Sequence, residues 1–144
     1  AGAGNLVGGG FADLADIISR CQAQRRLGIC LDSAHCHAAG YHLGTFEGLQ
    51  QTLAQLDREL GLQRLRLLHG NDSKSELASR VDRHWHIGRG TMGLAAFRNI
   101  LCHPKLRGLP LIMETPRRSI DDDRRNMRVM TRLRRECENE SSRS

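Results

Sequence analysis

The chain has 144 residues, a formal net charge of +6 and a pI of about 9.6, and only 3% of its residues are aromatic. That length suits one domain with a real core, and the charge suits an anionic partner, but so few aromatics argue against a base-stacking platform for single-stranded nucleic acid. No apolar run reaches membrane-spanning length and the opening does not read as a secretory signal, so no membrane partner is expected.

The glycine-rich opening AGAGNLVGGG has two readings, a flexible linker or a chain that begins in the middle of a domain. From Phe11 to about Cys21, the residues Phe11, Leu14, Ala15, Ile17, Ile18 and Cys21 form one helical stripe. Arg26 to Asp32 (RLGICLD) reads as a short buried strand. Phe46 to Leu60 is the clearest amphipathic helix, with Phe46, Leu49, Leu53, Leu56 and Leu60 at spacings of three and four. Leu65 to His69 is a second strand, and a long polar segment from Gly70 to Gly93 follows it. Leu94 to Leu101 reads as a helix. Leu109 to Glu114 is a third strand, with Pro110 marking its beginning. Asp121 to Cys137 closes the order as a helix. Its three leading aspartates suit the positive end of the helix dipole, and Met127, Met130, Leu133 and Cys137 form its apolar stripe. Residues 139–144 read as a polar tail. From Arg117 onward nine arginines alternate with six acids, the pattern of a solvated helix face rather than a nucleic-acid tail. The five cysteines are odd in number, scattered and without a CxxC pair, which suits reduced thiols in an intracellular setting: the cytoplasm of a prokaryote, or the nucleus or mitochondrion of a eukaryote.

Strands separated by helices imply parallel pairing with right-handed crossovers. Three strands leave both sheet edges unpaired, a second sign of an incomplete domain. Each strand also ends in a metal-ligand type: LDSAHCH in Asp32 and His35, LLHGND in His69, IMETP in Glu114. In parallel α/β folds the carboxyl ends of strands converge on one face. The polar segment adds SRVDRHWHIG, with Asp82, His84 and His86 at alternate positions that face one way in an extended chain. Alone, such a triplet is more often a hydrogen-bonded surface segment than a ligand set. With the strand ends beside it, six imidazole and carboxylate groups gather on one face: Asp32, His35, His69, Asp82, His84 and Glu114. These are the donors that hydrolytic zinc uses. Six exceed the needs of one ion, and paired ions suit phosphodiester cleavage.

The strings LDSAHCHAAGYHL, HGNDSK, SRVDRHWHIGRGTMG and LIMETP resemble the C-terminal half of endonuclease IV, the zinc-dependent AP endonuclease family 2, in order and spacing. The likeness runs to about Glu136, and residues 1–138 are assigned to that half-barrel. It implies a TIM barrel, here partial with about three parallel strands, and three zinc ions at the carboxyl-end face. It also implies double-stranded DNA as partner, cut on the 5′ side of an abasic site whose nucleotide is flipped out. Carried over by position, Asp32, His69 and Glu114 ligate one zinc and act in catalysis through it, whereas His35, Asp82 and His84 complete another zinc's set. On this likeness a bridging glutamate would stand three positions before Ala1, and further histidine ligands belong to a missing N-terminal half. One metal site of three is then whole, and the chain alone is expected to cleave weakly. Lys74, Arg80 and Arg83 are the candidate phosphate contacts. His37 and His86 are expected to support the ligands or face solvent, His103 to have no role, and Cys30 and Cys36 to be small core residues. Gly70, Ala78, His42 and Arg89 depart from the family's usual leucine, glycine, aspartate and glutamate. Two other readings stay open: a metal-dependent sugar isomerase of related fold, and a non-catalytic chain that retains only zinc binding.

Overall fold

A computed structural model describes residues 9–142; the opening AGAGNLVG, with its linker or mid-domain reading, lies outside the described residues. Phe11–Ser19 forms helix α1, two residues shorter than its apolar stripe, with Arg20 as its C-cap. Only Phe11 of that stripe is fully buried; Leu14, Ala15 and Ile18 lean on the core, and Ile17 is exposed. Strand β1 is confined to Ile29–Asp32, because residues 24–26 form a 3₁₀ turn before it. Next comes an unforeseen helix, α2 (Ser33–Ala39), capped by Asp32 and closed by Gly40 in the left-handed conformation, φ 100°. Helix α3 (Phe46–Leu60) has the bounds its periodicity dictates, with Thr45 accepting the Gly48 N–H as N-cap. Its buried face is Leu49, Leu53, Leu56 and Leu60, whereas Phe46, in the first turn beyond the core, is exposed.

Strand β2 (Leu65–His69) lies at the centre of a parallel sheet of order β1-β2-β5, where β5 is Leu111–Ile112. The third strand is thus shorter than Leu109–Glu114, although the Pro110 carbonyl still accepts the Leu68 N–H at 3.0 Å. Pro110 has no N–H to return, so it starts the pairing. The polar segment carries a two-stranded antiparallel ribbon, β3 (Asp72–Ser73) with β4 (His84–Trp85), which no alternating apolar pattern announced. Helix α4 is Gly93–Cys102 and α5 is Ile120–Ser141. Helix α5 runs through residues 139–141, which were expected in the tail; a Ser119–Asp122 capping box starts it.

Ile29 and Leu31 of β1 and Leu65 and Leu68 of β2 meet α3 in one core, and Ile87, Phe97, Leu101, Met130, Leu133 and Cys137 form a second between α4 and α5. Met127 is exposed rather than in the stripe. Asn126 takes the inward position because its amide meets Thr115, His86 and the Ile87 N–H there. No helix among the described residues is long and apolar enough to cross a membrane.

The expectation of reduced cysteines holds for Cys21, Cys30 and Cys36, but Cys102 and Cys137 are joined in a disulfide. They lie 35 residues apart in sequence, and only the packing of α4 on α5 brings them together. Closing such a loop stabilises the fold by up to about 4 kcal/mol through the unfolded chain's lost entropy. Reduction with dithiothreitol is therefore expected to lower the urea midpoint, corresponding to about 2–4 kcal/mol. Thiol titration in denaturant should find three thiols before reduction and five after. Five at the outset, or an unmoved midpoint, would show that no such bond forms.

Candidate metal centre

In parallel register, Asp32 at the end of β1 lies opposite His69 at the end of β2, and His69 lies opposite Ile112, two residues before Glu114. Strand alternation turns Cys30, Asp32, Leu67 and His69 to the sheet face away from the core. Asp32 has two tasks. Its Oδ1 accepts the His35 N–H at 3.0 Å as the α2 cap. Its Oδ2 faces His69 Nδ1 at 3.5 Å and His84 Nε2 at 3.8 Å. His69 Nδ1 also lies 3.0 Å from Glu114 Oε2, so Asp32, His69 and Glu114 offer three donor atoms within 4.8 Å of one another.

The ribbon brings the second group back over the strand ends. His84 Nδ1 bonds the Glu114 carbonyl at 3.2 Å. That contact fixes the ring and leaves Nε2 directed at the carboxylates. Asp82 reaches His35 Nε2 through Oδ2 at 2.8 Å and approaches His84 Nε2 through Oδ1 at 3.4 Å. Asp32, His35 and His84 also lie within 4.8 Å of one another, so the Asp32 carboxylate belongs to both groups. His84 Nε2 and Asp82 Oδ1 are buried without a hydrogen-bond partner. Orphaned polar atoms of that kind cost free energy unless something else satisfies them. A cation held between an imidazole lone pair and a carboxylate would satisfy both, and the mixed nitrogen and oxygen set fits zinc.

Residues 1–136 match the AP endonuclease 2 family model, described as a xylose isomerase-like TIM barrel. The chain belongs to this family.

Among its relatives, the probable endonuclease 4 of Chloroflexus aurantiacus is 44% identical over 134 residues, covering 92% of this chain and 47% of the relative. That of Trichlorobacter lovleyi is 50% identical over 123 residues, 85% of this chain and 43% of the relative. The crystal structure of endonuclease IV from Thermus thermophilus superposes with a TM-score of 0.78 at 37% identity, over 93% of this chain and 47% of that one. The chain thus spans about half the length of the relatives it matches, and its three parallel strands are part of an AP endonuclease family 2 barrel sheet.

Within this family member, Lys74, Arg80 and Arg83 are exposed on the loops beside the two groups and form no ion pair among the described residues. Lys74 Nζ sits 3.8 Å above the Trp85 ring centre, a cation–π contact that holds the ammonium near the ribbon. His86 and His37 are buried outside both groups. His86 contacts Asn126 and His37 contacts the Thr91 hydroxyl at 3.1 Å, while burial pushes the His37 imidazole below its usual range. His103 is also buried, at the end of α4, where its Nδ1 accepts the Lys105 N–H. Cys36 is a core residue as expected, but Cys30 is exposed on the site's sheet face. Partial burial, then the charges of Asp32 and Glu114, push its thiol up to about 11.

The structure bears on two departures from the family pattern: it strains alanine at position 78 and leaves little room for a side chain at position 70. Ala78 holds φ 62°, a conformation that glycine adopts without strain. Gly70 sits against β5, where a Cβ would lie 2.8 Å from Leu111 Cδ2. Sequence reasoning missed the fully buried polar pair Asn71 and Asp72. Asp72 accepts the backbone N–H groups of Gly88, Gly90, Ser73 and Met92 and so closes the loop behind the ribbon. A Cβ at Gly90 would overlap the Ser73 carbonyl and the Asp72 carboxylate. The available signal was two polar residues just past the end of strand β2, after Gly70, where each must find a partner if buried.

Proposed function

We propose that the chain is part of a zinc-dependent AP endonuclease that cleaves double-stranded DNA on the 5′ side of abasic sites. The observation that carries it is the pair of buried atoms without a hydrogen bond, His84 Nε2 and Asp82 Oδ1, 3.4 Å apart beside the two candidate ligand groups. The relatives named endonuclease 4 favour a nuclease over a sugar isomerase. Asp32, His69 and Glu114 would hold one zinc, and His35, Asp82 and His84 another, with Asp32 Oδ2 facing His84 Nε2 and so bordering both. When bound, zinc supplies Lewis acidity to the scissile phosphate and its departing oxygen.

The chain's own residues supply placement. The α2 cap and the Glu114 carbonyl orient His35 and His84, and the sheet register holds Asp32 beside His69. Glu114, half exposed, lies where substrate can enter. Lys74, Arg80 and Arg83 would meet backbone phosphates, which position the duplex without reading its sequence.

Equilibrium dialysis followed by metal analysis tests the reading. At least one tightly held zinc per chain is expected, and His84→Ala should lose the zinc of the group that contains His84 while sparing the Asp32, His69 and Glu114 group. A chain that retains no zinc at micromolar free metal would sink the proposal. We further propose that these 144 residues alone incise an abasic duplex only slowly, since they span about half of their relatives. Rapid, chelator-sensitive incision by the purified chain would show that they suffice.

A further inference from the structure

Asn71 is fully buried between all three ends of the parallel sheet. Its Nδ2 donates to Asp32 Oδ2 at 2.8 Å, and its Oδ1 accepts the Glu114 N–H at 2.6 Å. The amide's orientation is fixed by these partners, because a backbone N–H can only meet the oxygen and a carboxylate can only meet the NH₂. The backbone is pinned as well: the Asn71 N–H donates to Ser33 Oγ at 2.9 Å, and that hydroxyl donates to the Asn71 carbonyl at 2.7 Å. The oxygen that Asn71 holds is the one directed at both His69 and His84.

We propose that Asn71 is a positioning residue that aims the shared Asp32 carboxylate at both groups and locks it to the backbone of Glu114. The proposal rests on the metal reading above. No other side chain donates a hydrogen bond to Asp32 Oδ2 among the described residues. Without Asn71, only the His35 N–H on Oδ1 would hold the carboxylate; Oδ2 could swing about that contact, because the Cβ–Cγ torsion is broad, and its spacing to His69 and His84 would be lost. Leucine is close in size but has neither donor nor acceptor. Aspartate keeps an acceptor for the Glu114 N–H but sets a second carboxylate oxygen against Asp32.

The test uses the whole chain as parent, Asn71→Leu, Asn71→Asp and Ser33→Ala, with Zn²⁺ affinity and the visible spectrum of the Co²⁺-loaded chain as readouts. Asn71→Leu is expected to weaken Zn²⁺ binding by about 10- to 100-fold, the usual effect of losing a group that orients a ligand. Asn71→Asp should change the Co²⁺ spectrum even where the fold is intact by circular dichroism. Ser33→Ala removes the backbone clasp but leaves the amide on Asp32, so it should lower thermal stability and leave the Co²⁺ spectrum as in the parent. In the metal-free chain, Asn71→Leu alone should speed hydrogen exchange at the Glu114 amide, whereas Asn71→Asp should not.

Parent-like affinity and spectrum in both Asn71 variants would overturn the proposal while leaving the metal reading standing. So would a Ser33→Ala spectrum that changes as theirs do, since that marks a merely structural role. A parent chain that binds neither metal would overturn the metal reading, and Asn71's role with it, even if the exchange pattern holds. If Asn71→Leu fails to fold, Asn71→Asp decides alone.

Discussion

Asp32→Asn is expected to weaken zinc binding at both groups at once, by at least about 100-fold, more than the loss of a supporting partner costs. The substitution keeps the size of the side chain but removes both the charge and the acceptor that Asn71 Nδ2 uses. Asparagine keeps an oxygen that can accept the His35 N–H, so the α2 cap survives, whereas alanine would add about 1 kcal/mol for the lost cap. What disappears is the anionic oxygen facing His69 at 3.5 Å and His84 at 3.8 Å. Competition with a chelator of known affinity measures the effect. His84→Ala provides the contrast, since His84 belongs to only one of the two groups and should spare metal bound at Asp32, His69 and Glu114. Affinity within about threefold of the parent in Asp32→Asn would mean that Asp32 serves the α2 cap and not the metal; that threshold is about 0.65 kcal/mol, below the effect of a lost ligand.

Phe97→Ala should be the most destabilising single change in the second core, at about 3–5 kcal/mol. Phe97 has no exposed surface, and it packs with Ile87, Leu101, Met130, Leu133 and Cys137. The cavity would open between two helices already tethered by the 102–137 disulfide, so they cannot simply part to relieve it. Ile87 follows His86, and both are held by Asn126 of α5, so loosening this core also loosens the loop that returns from β4. Met127→Ala on the exposed face of the same helix should stay within about 0.5 kcal/mol. Urea denaturation of the two variants gives both numbers, and a Phe97→Ala cost below about 1 kcal/mol would show that the second core is not closely packed.

The strand ends were readable because β1 and β2 are short apolar runs that stop at Asp32 and His69, and parallel pairing sends such ends to one face. Helix α3 was readable because one apolar face at a period near 3.6 needs no tertiary help to be recognised. Helix α2 was not, because SAHCHAA is buried on most sides and has no amphipathic contrast. Nor was the Asp72–Ser73 ribbon with His84–Trp85, since two-residue strands are too short for an alternation to show. Met127 and Asn126 reversed roles because hydrogen bonding to Thr115, His86 and Ile87 outweighed side-chain hydrophobicity at that position.

The sequence by itself determined the order of the four longer helices and the three parallel strands, and the residue types at the strands' carboxyl ends, since these depend on local periodicity and chain direction. Only the tertiary structure decided that Asp32 faces both candidate ligand groups, that Asn71 bonds it there, that His86 and His37 turn inward, and that Cys102 meets Cys137. Each of those pairings spans tens of residues, and which distant groups touch is fixed by how helices and strands pack rather than by any spacing along the chain.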